Sequence, residues 1–444
     1  MKRTMLSLLV ATVFSMAVMA EEIGNKSDDV LMAYANIATD NYALVLEDVI
    51  ALEKAVKAFT SKPTKEGLDH AKTAWLRSRE SYGQTEIFRL VEGPIDAQEG
   101  WVYEMYGGVE GELNAWPLDE NMIDYMIDAK GQKTANNIID TQGIFTPQGM
   151  DSKGVDVRAI TVESLTALNE NGGNANVATG YHAVEFLLWG QDQDYANFVK
   201  DTVSHGATTA GQRPVSDYTS DAHALRRIAY LNVVTQKLVQ DVRSVNLGWS
   251  RVLSSDCSKD ASGCYRAALL GLLEGKDSDK NIKRTDFLKI LLSSMGVFMK
   301  SELANERIAV AVLTPSEEDE HSCFSDNTHR DIAMNYQGFK NVLSSSYEGK
   351  IYGVSLLDAM DMKSKEKLLK LMGKIEKRIA KIDALARTTE HFDYQIQPDN
   401  KNARRIVTLK NQMRKLGDMM VIVATANGIN LSVDDVTDAQ ETQL

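Results

Sequence analysis

The scarcity of proline is the feature that most constrains the fold of this chain. Only seven prolines occur among 444 residues, well below the usual share of about 5%, and they stand at breaks between periodic segments. Because proline interrupts helices, the long stretches between these breaks are free to be helical. Apolar residues in those stretches recur at helical spacing, and alternating strand patterns are few. The sequence therefore predicts an all-α protein.

Six segments have the pattern of long amphipathic helices. These predicted helices cover residues 30–59, 65–90, 227–242, 285–313, 363–387 and 401–428. In the second of them, Thr64 is expected to cap the N-terminus. One face of that helix carries a stripe of large or charged residues that should point to the core: Trp75, Arg79, Tyr82, Glu86 and Arg89.

A repeated spacing predicts two helical bundles in tandem. The helix over 285–313 repeats the 4-3-4 spacing of the first-half stripe with Leu291, Met295, Phe298 and Glu302. A stretch rich in Gly, Thr, Ser and Asp, residues 193–217, would join the two halves. Bundles of roughly 200 residues fit the usual limit on core size. We therefore expect an internal duplication, with domains over residues 21–214 and 215–444.

The N-terminus has the pattern of a secretory signal peptide over residues 1–20. Lys2 and Arg3 precede a mostly apolar stretch, and Val18 and Ala20 would stand at the −3 and −1 positions of cleavage. The apolar run is shorter than the roughly 20 residues that a membrane span needs, and nothing after it has a membrane-spanning pattern. We expect a periplasmic or otherwise exported protein that is soluble after cleavage.

The charge balance argues against nucleic acid as a partner. The net charge is −13, and loss of Lys2 and Arg3 with the leader would make it −15. No basic run is present, so binding to nucleic acid or to an anionic membrane surface is not expected.

The three cysteines divide into a pair and a single residue. Cys257 and Cys264 bracket a short polar loop, which in an oxidising compartment predicts a local disulfide. Cys323 is left over, either as a buried thiol or as a ligand beside His321 and His329.

A histidine followed three residues later by a glutamate is the strongest functional signal. Helical spacing places the His182 imidazole and the Glu185 carboxylate on one face, about 5–6 Å apart at Cβ. Both are metal-ligand types, and Gly180 lets another backbone or a ligand approach closely. From this spacing alone, a metal or substrate site and a structural hydrogen bond are equally open.

The string from Gly180 to Glu185 resembles the GxHxxE signature of the imelysin family. Other segments that look imelysin-like are Ser81–Glu86, Glu92–Asp96, Asn114–Asp119 and His321–Asp331. The resemblance is closest to the iron-regulated members. It implies a site containing His182 and Glu185 that binds iron rather than zinc, or a ligand carrying iron. It also implies a role in iron uptake, with an iron transporter of the inner or outer membrane as partner.

Two ligands do not complete a metal site, so further groups must come from elsewhere. Glu86 is the first choice for a third ligand, and Arg89 is a candidate binding residue on the same helix. Alternatively, Arg79 and Arg89 pair with Glu86 or Glu185, which would make the site anion-binding or structural. The loop Glu92–Asp119 can supply an oxygen ligand or a lid.

A second group of candidate ligands lies in the segment 321–331. His321, Asp326 and His329 are plausible ligands for a second site or for one at the junction of the two bundles. An N-terminal helix cap by Asn327 or Thr328 is the structural alternative. The acidic run 317–320 before them has the pattern of an exposed loop.

Hydrolysis is the alternative function. Imelysins are classed as peptidases after an insulin-cleaving founding member, and Glu185 can serve a metal-dependent peptidase as ligand or general base. The chain has neither HExxH nor HxxEH, because Phe186 follows Glu185. It also has no GxSxG, P-loop or GxGxxG. A third reading is a structural His–Glu pair in a protein-interaction module.

Overall fold

The computed structural model describes residues 2–128, 130–192, 210–313 and 320–438, with side chains from residue 27 onward. The α-helices are α1 (Lys2–Ser61), α2 (Lys65–Gly83), α3 (Gly100–Tyr106), α4 (Glu110–Leu113), α5 (Glu120–Ile123), α6 (Val162–Leu168), α7 (Gly180–Trp189), α8 (Ala224–Gly248), α9 (Cys264–Leu269), α10 (Arg284–Val297), α11 (Val310–Leu313), α12 (Thr328–Ser344), α13 (Met362–Ala386), α14 (Phe392–Gln395), α15 (Ala403–Asp418) and α16 (Met420–Ala426). The side chains of the predicted signal peptide lie outside the described residues.

Helices dominate, and the prediction of an all-α fold is confirmed. Short 3-10 turns connect several of them, at Glu86–Phe88, Val215–Tyr218, Gly275–Lys280, Cys323–Ser325, Leu356–Ala359 and Asp434–Val436. The strands in the described part are four two-residue pieces, β1 (Ile144–Phe145), β2 (Val155–Asp156), β3 (Ser346–Tyr347) and β4 (Lys350–Ile351). They pair antiparallel as β1 with β2 and β3 with β4. Within the described ranges, no helix combines the length and the hydropathy that crossing a membrane requires.

Helix α1 is the central element, since both α2 and α8 pack against it. A cluster of aromatic rings fills the space beside it, where Tyr34 meets Phe88 and Trp249 edge-on. Buried apolar side chains from Val30 to Val436 form one connected core. The fold therefore joins helices from both halves of the sequence, and the division at residues 214 and 215, like the duplication, stays a prediction.

Helix α2 begins as expected but ends early. The Thr64 side chain accepts a hydrogen bond from Gly67 N at 3.1 Å, which confirms the predicted cap. The α-helix stops at Gly83 instead of Leu90, and the Asn335 side chain donates to the Gly83 carbonyl at this end. Leu90 itself has a left-handed backbone with φ of 65°. The chain then turns, which places Glu86 in a 3-10 turn.

The predicted helix over 285–313 is continuous but changes pitch. Helix α10 runs into a π-helical segment, Phe298–Ala309, and then into α11. A π-helix is wider than an α-helix and is often found near functional sites. Here it carries Arg307, whose guanidinium lies 3.1 Å from Glu86.

The cysteine predictions are confirmed in part by the geometry. Cys257 and Cys264 are disulfide-bonded, with Cα atoms 5.9 Å apart. Cys323 is a free, buried thiol, and burial raises its pKa well above the ordinary value.

Candidate metal centre

The helix that carries the His–Glu pair, α7, is buried along its whole length. It begins at Gly180, whose φ of 84° favours glycine. A Cβ at that position would lie 2.5 Å from the Leu113 carbonyl oxygen and 2.8 Å from that of Glu112. The expectation that Gly180 allows close approach is therefore confirmed, and the approaching group is the backbone at residues 112–113.

His182 and Glu185 contact each other as the spacing predicts. The His182 Nδ1 lies 2.9 Å from Glu185 Oε2, and both side chains are fully buried. The other oxygen of Glu185 accepts hydrogen bonds from the backbone N–H and the hydroxyl of Ser325, at 3.0 and 2.6 Å. Burial raises the pKa of Glu185 to about 8, against the effect of these donors.

A second histidine faces the first. His321 Nε2 lies 3.1 Å from His182 Nε2, although the two residues are 139 positions apart. On its far side, His321 Nδ1 lies 2.7 Å from Asp331 Oδ2, which also accepts from the Ser322 hydroxyl at 2.5 Å. Burial lowers the pKa of both histidines well below the ordinary value, with a further contribution from Arg307 and Arg79 at His321, and this favours neutral rings at pH 7.

We call these four residues, His182, Glu185, His321 and Asp331, the paired-histidine centre. At His321, the Asp331 carboxylate at Nδ1 favours the tautomer with its proton there, which leaves a lone pair on Nε2. At His182, the same tautomer requires Glu185 to lose its proton, which binding of a cation at Nε2 favours. The same carboxylate–histidine arrangement orients metal-bound histidines in proteins. Two nitrogens bound to one ion at about 2.1 Å are separated by roughly 3.0–3.4 Å, and the observed 3.1 Å falls in that range. The spacing therefore suits two nitrogen ligands of one ion, and among the described residues no third His, Cys, Asp or Glu atom lies within 4.8 Å of both nitrogens.

One aromatic side chain forms a wall against both histidines. The Trp116 ring centroid lies 4.9 Å from that of His182, 6.2 Å from that of His321 and 5.7 Å from that of Phe324. Trp116 belongs to the loop Glu92–Asp119, which was expected to supply a ligand or a lid. An apolar wall lowers the local dielectric around the nitrogens and strengthens electrostatic contacts there.

Arginines connect the centre to Glu86. Arg79 Nη2 lies 3.0 Å from Asp331 Oδ1, and Arg79 Nη1 donates to Asn114 at 2.6 Å. Asn114 in turn donates to Glu86 Oε1 at 3.3 Å. Arg307 and Arg89, together with other nearby cations, hold the pKa of Glu86 below its ordinary value despite complete burial.

The structure thus places Glu86 among cationic and amide donors. Within the described residues, Glu86 and the two histidines do not form a close three-ligand group, so its role as a ligand stays a prediction. The predicted binding residue Arg89 lies beside it, with Nη1 3.4 Å from both Glu86 and Glu302 and Nη2 3.2 Å from Glu110. Arg79 and Arg89 both pair with Glu86, as the alternative reading of the helical stripe allowed.

The other candidates from the segment 321–331 lie elsewhere. His329 Nδ1 is 2.9 Å from the Asp326 carbonyl oxygen and its Nε2 is 3.6 Å from Asp383, away from His182. Asp326 lies with His391 instead. Asn327 occupies the cap position of α12, but its side chain makes no capping hydrogen bond.

The acidic run 317–320 was expected to form an exposed loop, and this expectation is wrong for its last residue. Glu320 is only 2% exposed, because the following turn tucks it against Thr328 and the segment around His391. Residues 314–319 lie outside the described residues.

Several residues of the centre were not foreseen from the sequence. Asp331 stands in the imelysin-like segment but carries no spacing signal that distinguishes it from a surface aspartate. Trp116, Asn114 and Arg307 reach the centre only through the tertiary fold. Ser325 lies four residues from His321, and a turn at 323–325 would have been needed to predict its contact with Glu185.

Comparison with known proteins supports a family assignment. The family model Imelysin (Peptidase_M75) matches residues 38–418. The chain belongs to the imelysin family. The resemblance found at Gly180–Glu185 and in the other segments is thereby confirmed.

Individual relatives agree with this assignment. The chain is 23% identical over 308 residues to a protein from Synechococcus elongatus called "Iron-regulated protein A", a match that covers 69% of this chain and 61% of that protein. It also resembles the crystal structure of a protein from Parabacteroides distasonis assigned as an iron-regulated protein A precursor. That likeness has a TM-score of 0.60 at 16% identity and covers 90% of this chain and 95% of the other. At this identity the second likeness shows the fold.

Proposed function

We propose that this imelysin-family protein binds iron, or a ligand carrying iron, at the paired-histidine centre and acts in iron uptake outside the cytoplasm. One observation carries the binding proposal: the Nε2 atoms of two buried imidazoles lie 3.1 Å apart, and each ring has a carboxyl group at its Nδ1. An ion between the nitrogens would satisfy both lone pairs. Imidazole with nearby carboxylate suits iron and zinc alike, and the iron-regulated relative favours iron.

Burial favours binding over peptide hydrolysis. His182 and Glu185 are 0% exposed, and His321 is 2% exposed. A peptidase must bring a substrate carbonyl to its metal-bound water, and a polypeptide has no access to groups packed in this way. The metal-dependent peptidase is therefore the second candidate.

Equilibrium binding to the purified protein tests the proposal. Titration with Fe²⁺ under anaerobic conditions and, separately, with Zn²⁺ should show a site that His182→Ala removes. A panel of peptides should stay intact throughout. His70→Ala is the matched control, because His70 is an exposed histidine on α2 and its loss should leave affinity unchanged.

Two results would contradict this function. Retention of full metal affinity by His182→Ala, with only a loss of thermal stability, would make the His–Glu pair structural. Peptide cleavage that a chelator stops and that His182→Ala abolishes would establish the peptidase instead.

Export is part of the proposal and has its own test. Expression of the full chain in a Gram-negative host should yield a periplasmic product that begins at Glu21. A cytoplasmic product that retains Met1 or Lys2 would contradict the predicted signal peptide.

A further inference from the structure

A second group of buried polar side chains lies on the other face of the segment that supplies His321. Its members are Glu320, Asp326, His391 and Asp393, which we call the carboxylate cluster. Asp326 follows the turn at Cys323–Ser325, His391 immediately precedes α14, and Asp393 lies in its first turn. Their exposed fractions are 8% for Asp326, 1% for His391, and 2% for Asp393 and Glu320. Three acidic groups and one imidazole are therefore removed from water together.

The ligand-type atoms of three of these residues converge. One atom each from Asp326, His391 and Asp393 lie within 4.8 Å of one another. His391 Nδ1 is 3.2 Å from Asp326 Oδ1 and also contacts Asp393 Oδ1. Convergence of an imidazole and two carboxylates on one small volume is the arrangement that a metal ion selects.

Several polar atoms of the cluster have no hydrogen bond within the described part of the chain. They are both ring nitrogens of His391, the Oδ2 atoms of Asp326 and Asp393, and Glu320 Oε1. His391 Nδ1 is close to two oxygens, but the direction of its N–H satisfies neither. A buried polar atom without a partner costs about 1–3 kcal/mol, and more if charged, so these atoms call for a ligand.

The carboxylate cluster contains three acidic side chains and has little positive charge beside them. Among the described residues, His391 is the cationic-type side chain found in ion-pair contact with Asp326 and Asp393. Glu320 adds a third buried carboxyl group to the cluster. At the paired-histidine centre, by contrast, Arg79 pairs with Asp331 at 3.0 Å. The cluster is therefore short of positive charge.

We propose that Asp326, His391 and Asp393 bind a divalent transition-metal ion in a second, structural site. Mg²⁺ and Ca²⁺ prefer sites made of oxygen alone, and the imidazole makes Zn²⁺ the better match. An ion there fixes the segment 320–326 to the start of α14. Because His321 and Ser325 lie in that segment and contact His182 and Glu185, the second site also holds the paired-histidine centre in shape.

Metal counting on the full-length mature protein tests this site. After chelator treatment and loading with Zn²⁺, native mass spectrometry and elemental analysis should find two ions per chain for wild type. His391→Gln and His182→Ala should each bind one, and the double variant none. Excess Ca²⁺ should displace neither ion.

The outcomes separate this proposal from the proposed function. His391→Gln with as many bound ions as wild type would overturn the second site, as would a wild type that binds one ion and loses it in His182→Ala. If His182→Ala instead keeps both ions, the proposed function fails while the second site is judged by His391→Gln alone.

Diffraction from wild-type protein gives a test without substitutions. Zn²⁺-loaded crystals measured at the zinc edge should show an anomalous peak between Asp326, His391 and Asp393. Absence of that peak, with density for a hydrogen-bonded imidazolium in its place, would overturn the proposal even if the variants failed to fold.

Discussion

Two groups of buried charged and polar side chains lie near α7, and their charges are compensated in different ways. Asp124 is enclosed by Arg213 and Arg227, which approach its oxygens at 2.6–2.9 Å, and we call these three residues the Asp124 cage. Each oxygen of this aspartate is paired with a cation of the protein itself. In the paired-histidine centre, two neutral nitrogens face each other and the charges lie one layer further out. A closed ion network suits a structural role, and an unclosed pair of donors suits an external ion.

The largest effect that this comparison predicts is a loss of stability when the Asp124 cage is broken. Asp124→Ala leaves two buried guanidinium groups without their main anion, so the free energy of unfolding should fall by about 3–5 kcal/mol. Urea unfolding followed by circular dichroism measures this loss. Fe²⁺ affinity of the remaining folded protein should stay within about 3-fold of wild type. A 100-fold loss of affinity would show that the two regions are not separate in function.

The second effect concerns affinity at the centre. His321→Ala removes one of the two facing nitrogens, and Fe²⁺ or Zn²⁺ affinity should fall by at least about 100-fold, or roughly 2.7 kcal/mol. Isothermal titration measures the change, with His70→Ala as the exposed control. Unchanged affinity would place the ion away from His321.

The third effect is the loss of folding stability at low pH, as Asp124 in the cage becomes protonated. Burial alone would raise the pKa of Asp124, but Arg213 and Arg227 lower it to about 2. A carboxyl with a lowered pKa in the folded state stabilises fully above the unfolded value of about 3.9. That stability is lost as the pH falls from about 4 toward 2, and the full shift corresponds to roughly 2.6 kcal/mol.

Comparison of unfolding free energies isolates this acid response. The stability difference between wild type and Asp124→Asn should shrink by about 2 kcal/mol between pH 6 and pH 2.5. A difference that is constant over this range would mean that Asp124 does not titrate differently in the folded protein.

The smallest effect on metal affinity is expected for Asp331, which contacts His321 at the nitrogen that faces away from His182. Asp331→Asn keeps the shape at His321 Nδ1 but weakens the acceptor, so metal affinity should fall by about 10- to 100-fold. Because Arg79 also contacts Asp331, the thermal unfolding midpoint should be measured on the same sample. An affinity equal to that of wild type would show that the carboxylate does not orient the ring.

Local pattern was enough to predict the helical class and part of the centre. Apolar spacing placed α1, α8 and α13, and the cap at Thr64 followed from residue type. His182 and Glu185 were predictable because their contact is set by one turn of helix. The end of α2 at Gly83 was not, since the contact at this end comes from Asn335 of α12.

The partners of His182 could be only partly foreseen. His321 was a candidate ligand, but its contact with His182 spans 139 positions and depends on the packing of α7 against the turn at 323–325. His391 and Asp393 gave no signal, because two polar residues at the start of a four-residue helix have no periodic context. Long-range pairings of this kind are set by tertiary packing, which a single sequence does not encode in its spacing.

The depth of the paired-histidine centre has a kinetic consequence. With side chains 0–2% exposed, an ion held there can exchange only when part of the surrounding packing opens. Its residence time should therefore be set by the opening rate of local structure and not by the strength of the metal–nitrogen bonds alone. Under the proposed function, the bound ion should therefore stay with the protein through dilution and leave only when that packing opens.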